Sequence, residues 1–224
     1  MNYSPFIYAY EESDIAITGS GTLDGQGNVG IDSWWNWKSK GSLDLDVVLL
    51  YNYSDSETPV EQRIFGDDHY LRPNFIQPYK CTNVLIDGIT IINSPMWEVH
   101  PVLSKNVTIS NITVSSYGPN NDGCNPESCT DVLIKNCYFN TGDDCIAIKS
   151  GRNADGRRVN VPSQNIVIQD CHMVDGHGGI TMGSEMSGGI RNVYAENCEM
   201  TGTNLNNVIR FKTNSLRGGF IENV

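Results

Sequence analysis

Long apolar runs are missing from this chain. No eighteen consecutive apolar residues occur in its 224 positions, so no membrane-spanning helix is expected. Positive charge is scarce, with 15 Lys and Arg against 26 Asp and Glu and a net charge of −11. Phosphate backbones and anionic lipid surfaces both need a basic patch, so neither nucleic acid nor a membrane is an expected partner. A polyanionic partner remains possible only where local Lys and Arg overcome the global field. The seven cysteines (81, 124, 129, 137, 145, 171 and 198) form no CxxC pair, which argues against a zinc ribbon. Their odd count leaves at least one outside any pairing within the chain. A helical apolar period is also absent from most of the chain. The opening MNYSPFIYAYEESD has neither the basic nor the apolar region of a secretory leader.

What is present is a repeat. Five segments align without gaps: NVLIDGITI (83–91), NVTISNITV (106–114), DVLIKNCYF (131–139), NIVIQDCHM (165–173) and NVYAENCEM (192–200). The second, fourth, seventh and ninth positions are apolar in nearly every copy, with Cys137, Cys171 and Cys198 at the seventh. Such alternation describes strands with one buried face. The sixth position is Gly, Asn or Asp, the residues that tolerate left-handed backbone. DIAITGSGTL (14–23) is a looser copy, and Glu222-Asn223-Val224 looks like the start of another. Successive copies begin 23, 25, 34 and 27 residues apart. Strands and bends at that period predict an all-β solenoid, a right-handed parallel β-helix whose coils bury their apolar faces by stacking. The cysteines then form a ladder of small apolar side chains in the core rather than disulfides. A leucine-rich repeat lacks its leucines here, and a β-sandwich would not repeat in phase. Residues 1–224 read as one β-helix domain, with an irregular decoration over about 24–80 and regular coils over about 81–224. The cluster Trp34, Trp35 and Trp37 reads as a cover over the first coil.

Coils stack about 4.8 Å apart, so residues at similar offsets in neighbouring copies become neighbours in space. His100, Asp122, Asp143 and Asp144, His177, and Arg210 with Lys212 all follow the second strand of their coil. They are expected to line one wall in that order. Adjacent like charges such as Asp143 and Asp144 repel, which raises at least one pKa. A carboxylate pair, one protonated and one ionised, is what glycoside hydrolysis requires. In a regular strand these two would face opposite ways, so Gly142 is expected to admit an irregular backbone that turns both to one side.

Four stretches, NNDGCNPES (120–128), GDDCIAIKSG (142–151), GHGG (176–179) and RFK (210–212), resemble in order and spacing the four motifs of glycoside hydrolase family 28, the polygalacturonases. GTLDGQG (21–27) followed by paired Trp is similar to that family too. The resemblance implies an inverting hydrolase acting on α-1,4-linked galacturonic acid in pectin, with no metal or cofactor. It implies Asp143 as general acid, Asp122 and Asp144 as the pair that holds and activates water, and His177 as the residue that tunes the acid's proton. Arg210 and Lys212 would grip a galacturonate carboxylate, reconciling an acidic protein with an acidic polymer. Asn120, His100, Lys149 and Gly178 complete the expected substrate contacts. Asn121 and Phe211 depart from the family pattern, and as middle residues of strand triplets are expected to point away from substrate. The family usually continues beyond Lys212, so the chain reads as a fragment open at its C-terminal end. A pectic polysaccharide or oligogalacturonide is the expected partner and an extracellular or periplasmic site the expected location.

Two other classes share the solenoid. A pectate-lyase-like enzyme would cleave by β-elimination with Ca²⁺ and a basic residue. A non-catalytic carbohydrate-binding β-helix would bind without cleavage.

Overall fold

A computed structural model describes residues 2–224. The chain winds as a right-handed parallel β-helix with three faces. One face stacks Ser13–Thr18, Thr82–Asp87, Lys105–Ser110, Thr130–Lys135, Ser163–Gln169, Ile190–Glu196 and Ile221–Glu222 in parallel register. The next stacks Thr22–Asp24, Thr90–Ile92, Thr113–Ser116, Tyr138–Thr141, His172–Met173 and Glu199–Met200. The third carries the site. Its ladder runs Ile7, Ile76, Val99, Cys124, Ile146, Ile180, Ile209 without interruption.

The repeat dictates this winding. Second and fourth positions point inward and stack like on like, as in Val84, Val107, Val132, Ile166 and Val193, and Ile86, Ile109, Ile134 and Ile168, nearly all fully buried. The sixth position takes left-handed backbone in every copy, with φ between 53° and 81° from Gly88 to Asn197. The first position does so as well, which the strand reading did not anticipate: Asp14, Asn83, Asn106, Asp131, Asn165, Asn192 and Asn223 have φ between 53° and 60°. Their side chains join in ladders between coils, such as Asn106 Nδ2 donating to Asn83 Oδ1 at 2.7 Å and Asn223 Nδ2 to Asn192 Oδ1 at 3.1 Å. Asn and Asp serve here because a short amide or carboxylate tolerates φ > 0 and pairs with its copy one coil away.

All seven cysteines are free, and all but Cys198 are buried. At the seventh position Cys137 and Cys171 each turn their Sγ to a backbone carbonyl two residues back. Burial pushes the Cys129 and Cys145 thiols up to about 12, so these groups pack as small hydrophobes and are not nucleophiles.

Regular winding begins earlier than residue 81. Ile7–Tyr10 pairs with Ile76–Tyr79 as the first two rungs of the third face. Between them lie helices α1 (Trp34–Ser39) and α2 (Ser42–Asp55), where an irregular decoration was expected. The 34-residue spacing between the copies at Asp131 and Asn165 holds helix α3 (Asn153–Val159). The tryptophans do not simply cover the first coil. Trp34 and Trp37 pack with Tyr3 and Tyr70, while Trp35 donates to the Ser94 carbonyl at 2.8 Å and packs its ring against Gly118, in later coils.

Candidate active site

Outward positions of the third face form columns. Trp97, Asp122, Asp144 and Gly178 occupy one column, each residue one coil beyond the last, as the ladder register requires. Asp143 and His177 form the neighbouring column, with His177 N–H donating to the Asp143 carbonyl. The predicted bend is real. Asp143 and Asp144, adjacent in sequence, both reach the same side, and Asp122, Asp143 and Asp144 bring one carboxylate oxygen each within 4.8 Å of the others. The Asp144 amide donates to its neighbour's Asp143 Oδ1 at 2.9 Å, which fixes that turn. Gly142 serves it by close approach: a Cβ there would meet the Gly118 carbonyl at 2.4 Å.

The three acids differ in surroundings. Asp122 is buried, accepts from Asn125 Nδ2 at 2.7 Å and lies 3.8 Å from Lys149 Nζ. Burial pushes its pKa well up, against the pull of Lys149 and with the repulsion of Asp143 and Asp144. Asp144 is 1% exposed, yet neither of its oxygens receives a hydrogen bond. Arg210 Nη1 and Lys212 Nζ stand 3.8 and 3.6 Å away, near enough to balance its charge and too far to be hydrogen-bonded to it. Asp143 faces His177 Nδ1 at 3.0 Å, and the imidazole is 52% exposed in the open cleft. Gly178 keeps the space before Asp144 clear, since a Cβ would sit 2.9 Å from Asp144 Oδ1 and 2.3 Å from Thr181 Oγ1. The oxygens of the three acids have the spacing of a cation site, but Lys149, Arg210 and Lys212 already face the cluster and offset its charge.

A model of a known family covers this arrangement. Residues 5–224 match the model of glycosyl hydrolases family 28. The chain belongs to that family. A probable polygalacturonase of Vitis vinifera is 35% identical over 99% of this chain and 40% of its own length. Among solved structures, a hyperthermoactive exopolygalacturonase from Thermotoga maritima matches with a TM-score of 0.93 and 51% identity, over all of this chain and 52% of that one. A polygalacturonase from Erwinia carotovora ssp. carotovora matches with a TM-score of 0.74 and 26% identity, over 99% of this chain and 52% of that one. The chain thus spans about half or less of the relatives it matches.

Of the family motifs, the structure brings Asp122, Asp143, Asp144, His177, Gly178, Arg210 and Lys212 together. Asn121 points inward, fully buried, and ties Ser94, Met96, Ser116 and Gly118 together. Phe211 stacks in register on the buried Met182. Both middle residues point away from the cleft, as expected. Asn120 Oδ1 accepts from Arg72 Nη2 at 2.5 Å and borders the cleft.

Two expected substrate contacts are corrected. His100 is on the wall but 5% exposed, with Nε2 against Glu127 at 2.7 Å and Nδ1 against Asn74 and Gln77. Its nitrogens are occupied by protein, so none is offered to a ligand. Lys149 is buried too, bonded to Glu185 Oε2 at 3.0 Å and stacked on Trp97 at 4.5 Å. Burial alone would lower its pKa, but Glu185 and Asp122 raise it, so it acts as a fixed internal cation.

Four neighbours escaped the sequence. Arg72 is 3% exposed and held by the carbonyls of Pro95 and Pro119; burial lowers its pKa to about 10. Trp97 and Arg152 border the cleft. Glu98 is 0% exposed, and neither carboxylate oxygen has a partner, the nearby Ser116 hydroxyl being committed to Asn121. Burial raises its pKa strongly, and the nearby Asp122 and Asp143 push the same way, favouring the neutral form. Its one sequence signal was an acid inside the otherwise packed WEVH.

Proposed function

We propose that this family 28 chain hydrolyses α-1,4-galacturonosyl linkages of pectic polymers. The observation that carries the reading is Asp144: a buried carboxylate, flanked by two acids and two cations, to which no protein group donates a hydrogen bond. A carboxylate so placed, with open acceptor sites, is built to accept a proton from water. Asp122, on the adjacent rung, holds the same water. Asp143, the acid beside the exposed His177, gives its proton to the glycosidic oxygen. Water's oxygen then bonds the anomeric carbon, its proton goes to the Asp144 side of the cluster, and the C–O bond to the leaving sugar breaks. Arg210 and Lys212, not hydrogen-bonded to Asp144, are free to bind a uronate carboxylate as well.

The oxygens crowd more closely than the roughly 6.5–9.5 Å usual between inverting carboxyl groups. Family membership supports inversion, with the water placed between two adjacent rungs rather than opposite one base. A polymer too large to cross a membrane fits an extracellular or periplasmic enzyme.

The test is end-product chemistry on polygalacturonate with the full-length protein. New saturated reducing ends, formed equally with and without chelator, are expected. Unsaturated ends lost on chelation would establish a lyase instead, and binding without products a carbohydrate-binding solenoid.

A further inference from the structure

Residues 25–75 form an excursion outside the repeat, yet one of them reaches beneath the site. The excursion builds a small core of its own, in which Leu43 of α2, Phe65 and Leu71 are buried together. Leu71 anchors the residue that follows it, Arg72, and Pro73 stiffens the backbone on the other side. Arg72 is itself buried. Its Nη1 donates to the carbonyls of Pro95 at 2.9 Å and Pro119 at 2.7 Å, and its Nη2 to Asn120 Oδ1 at 2.5 Å. Pro95 lies two residues before Trp97, and Pro119 three before Asp122. One guanidinium therefore clamps the turns that lead two successive coils onto the third face.

The clamp decides which way an amide points. A guanidinium carries five donors and no acceptor. The end of Asn120 that meets it is therefore the carbonyl oxygen, and the Nδ2 hydrogens face away from Arg72. An amide without such a partner presents either end. Asn120 stands at φ 58°, in left-handed backbone, and borders the cavity beside the carboxylates together with Trp97. Burial lowers the Arg72 pKa to about 10, against the pull of the nearby Asp143, so the guanidinium stays charged at neutral pH. A uronate carboxylate offers acceptors only, so just the N–H end of an amide suits it.

We propose that Arg72 is a positioning residue of the active site: by occupying Asn120 Oδ1, it commits the Asn120 amide to meet bound galacturonate with its N–H donors. Arg72 touches no sugar, because its terminal nitrogens are spent on protein oxygens. The excursion then serves the site through Leu71 and Arg72. This rests on the hydrolase reading above.

The experiment reads binding and cleavage separately. In the full-length Asp143→Asn protein, affinity for an α-1,4-galacturonate trimer is measured by calorimetry. Arg72→Lys keeps a positive charge but loses the planar fork that spans these acceptors. It is expected to raise Kd about three- to tenfold, the worth of one hydrogen bond, and Asn120→Ala about as much. Combined, they are expected to raise Kd no further than the larger single change, since both remove the same contact. Arg72→Lys with Arg210→Gln is expected to multiply the two single effects. A merely structural Arg72 would multiply with Asn120→Ala as well, and Tm is recorded for each variant. An unchanged Kd in Arg72→Lys, or full multiplication with Asn120→Ala, would overturn the assignment. Should Arg72→Lys not fold, Asn120→Ala decides alone: a raised Kd supports the assignment, and an unchanged one leaves no amide contact to position and overturns it. Coupled losses of binding, in a protein whose active form yields no new reducing ends, would keep Arg72 and sink only the hydrolase reading.

Discussion

Asp122 and Asp144 sit at equivalent points of successive coils, joined through the Gly123 amide, which donates to the Asp144 carbonyl at 3.0 Å. Their separation is therefore the coil spacing itself. The placement of the pair proposed to hold the water is set by the backbone ladder and not by a flexible loop, which is the kind of rigid placement catalysis exploits.

Asp143→Asn and Asp144→Asn are each expected to lower kcat by about 10²–10⁴-fold, the usual worth of a positioned proton-transfer group. Asp122→Asn should fall in the same range. Circular dichroism should show the solenoid intact in all three, because the ladder bonds at these positions come from the backbone. Full activity in Asp143→Asn would refute its role as acid.

Lys149→Met tests the correction made to that residue. Removing a buried cation strands Glu185 and Asp122, a loss expected to cost about 3–5 kcal/mol of stability. Thermal unfolding should report a large drop in Tm. A variant as stable as the parent, with only KM raised, would restore Lys149 to the substrate.

Glu98→Gln should reveal the buried acid through pH. The folded chain holds this proton well above the ordinary value of 4.5. Protons are then bound more tightly in the folded state, so stability falls as pH rises from about 4.5 through the folded pKa. The amide carries no such term. The variant's Tm is expected to exceed the parent's at neutral and alkaline pH, with the gap closing near pH 4. Parallel Tm curves across that range would show that Glu98 does not carry the slope.

The stereochemistry of the first product is the fourth check. A water held between Asp122 and Asp144 attacks opposite the leaving group, so an α-linked substrate should give the β-anomer first, visible by proton NMR before mutarotation. An initial α-anomer would mean that one of these aspartates attacks the sugar directly, as the close spacing of retaining enzymes permits.

Much of this was legible in the chain. The nine-residue repeat named the inward positions because a strand alternates with period two and a coil returns every 23 to 34 residues. The same register placed Asp122 one coil from Asp144, and the motif at Asp143 demanded a bend that exists. The left-handed backbone at the first repeat position went unread, although Asn or Asp in every copy carried the same signal as the sixth. His100 and Lys149 were placed on the correct wall, but offset along a coil says nothing of what covers a side chain once folded.

By itself, then, the sequence determined the solenoid, its core columns and which acids and cations gather on one wall, because each follows from local periodicity multiplied by a fixed coil spacing. Only the tertiary structure decided which cations are internal and which are free, that Glu98 lies buried without a partner, and that α2 and α3 meet over the cleft. Those outcomes depend on residues such as Arg63 and Asp155, or Tyr51 and Arg152, that are far apart in the chain and outside any repeat. No periodic rule brings such residues together; their meeting is settled by packing and charge pairing across the assembled wall.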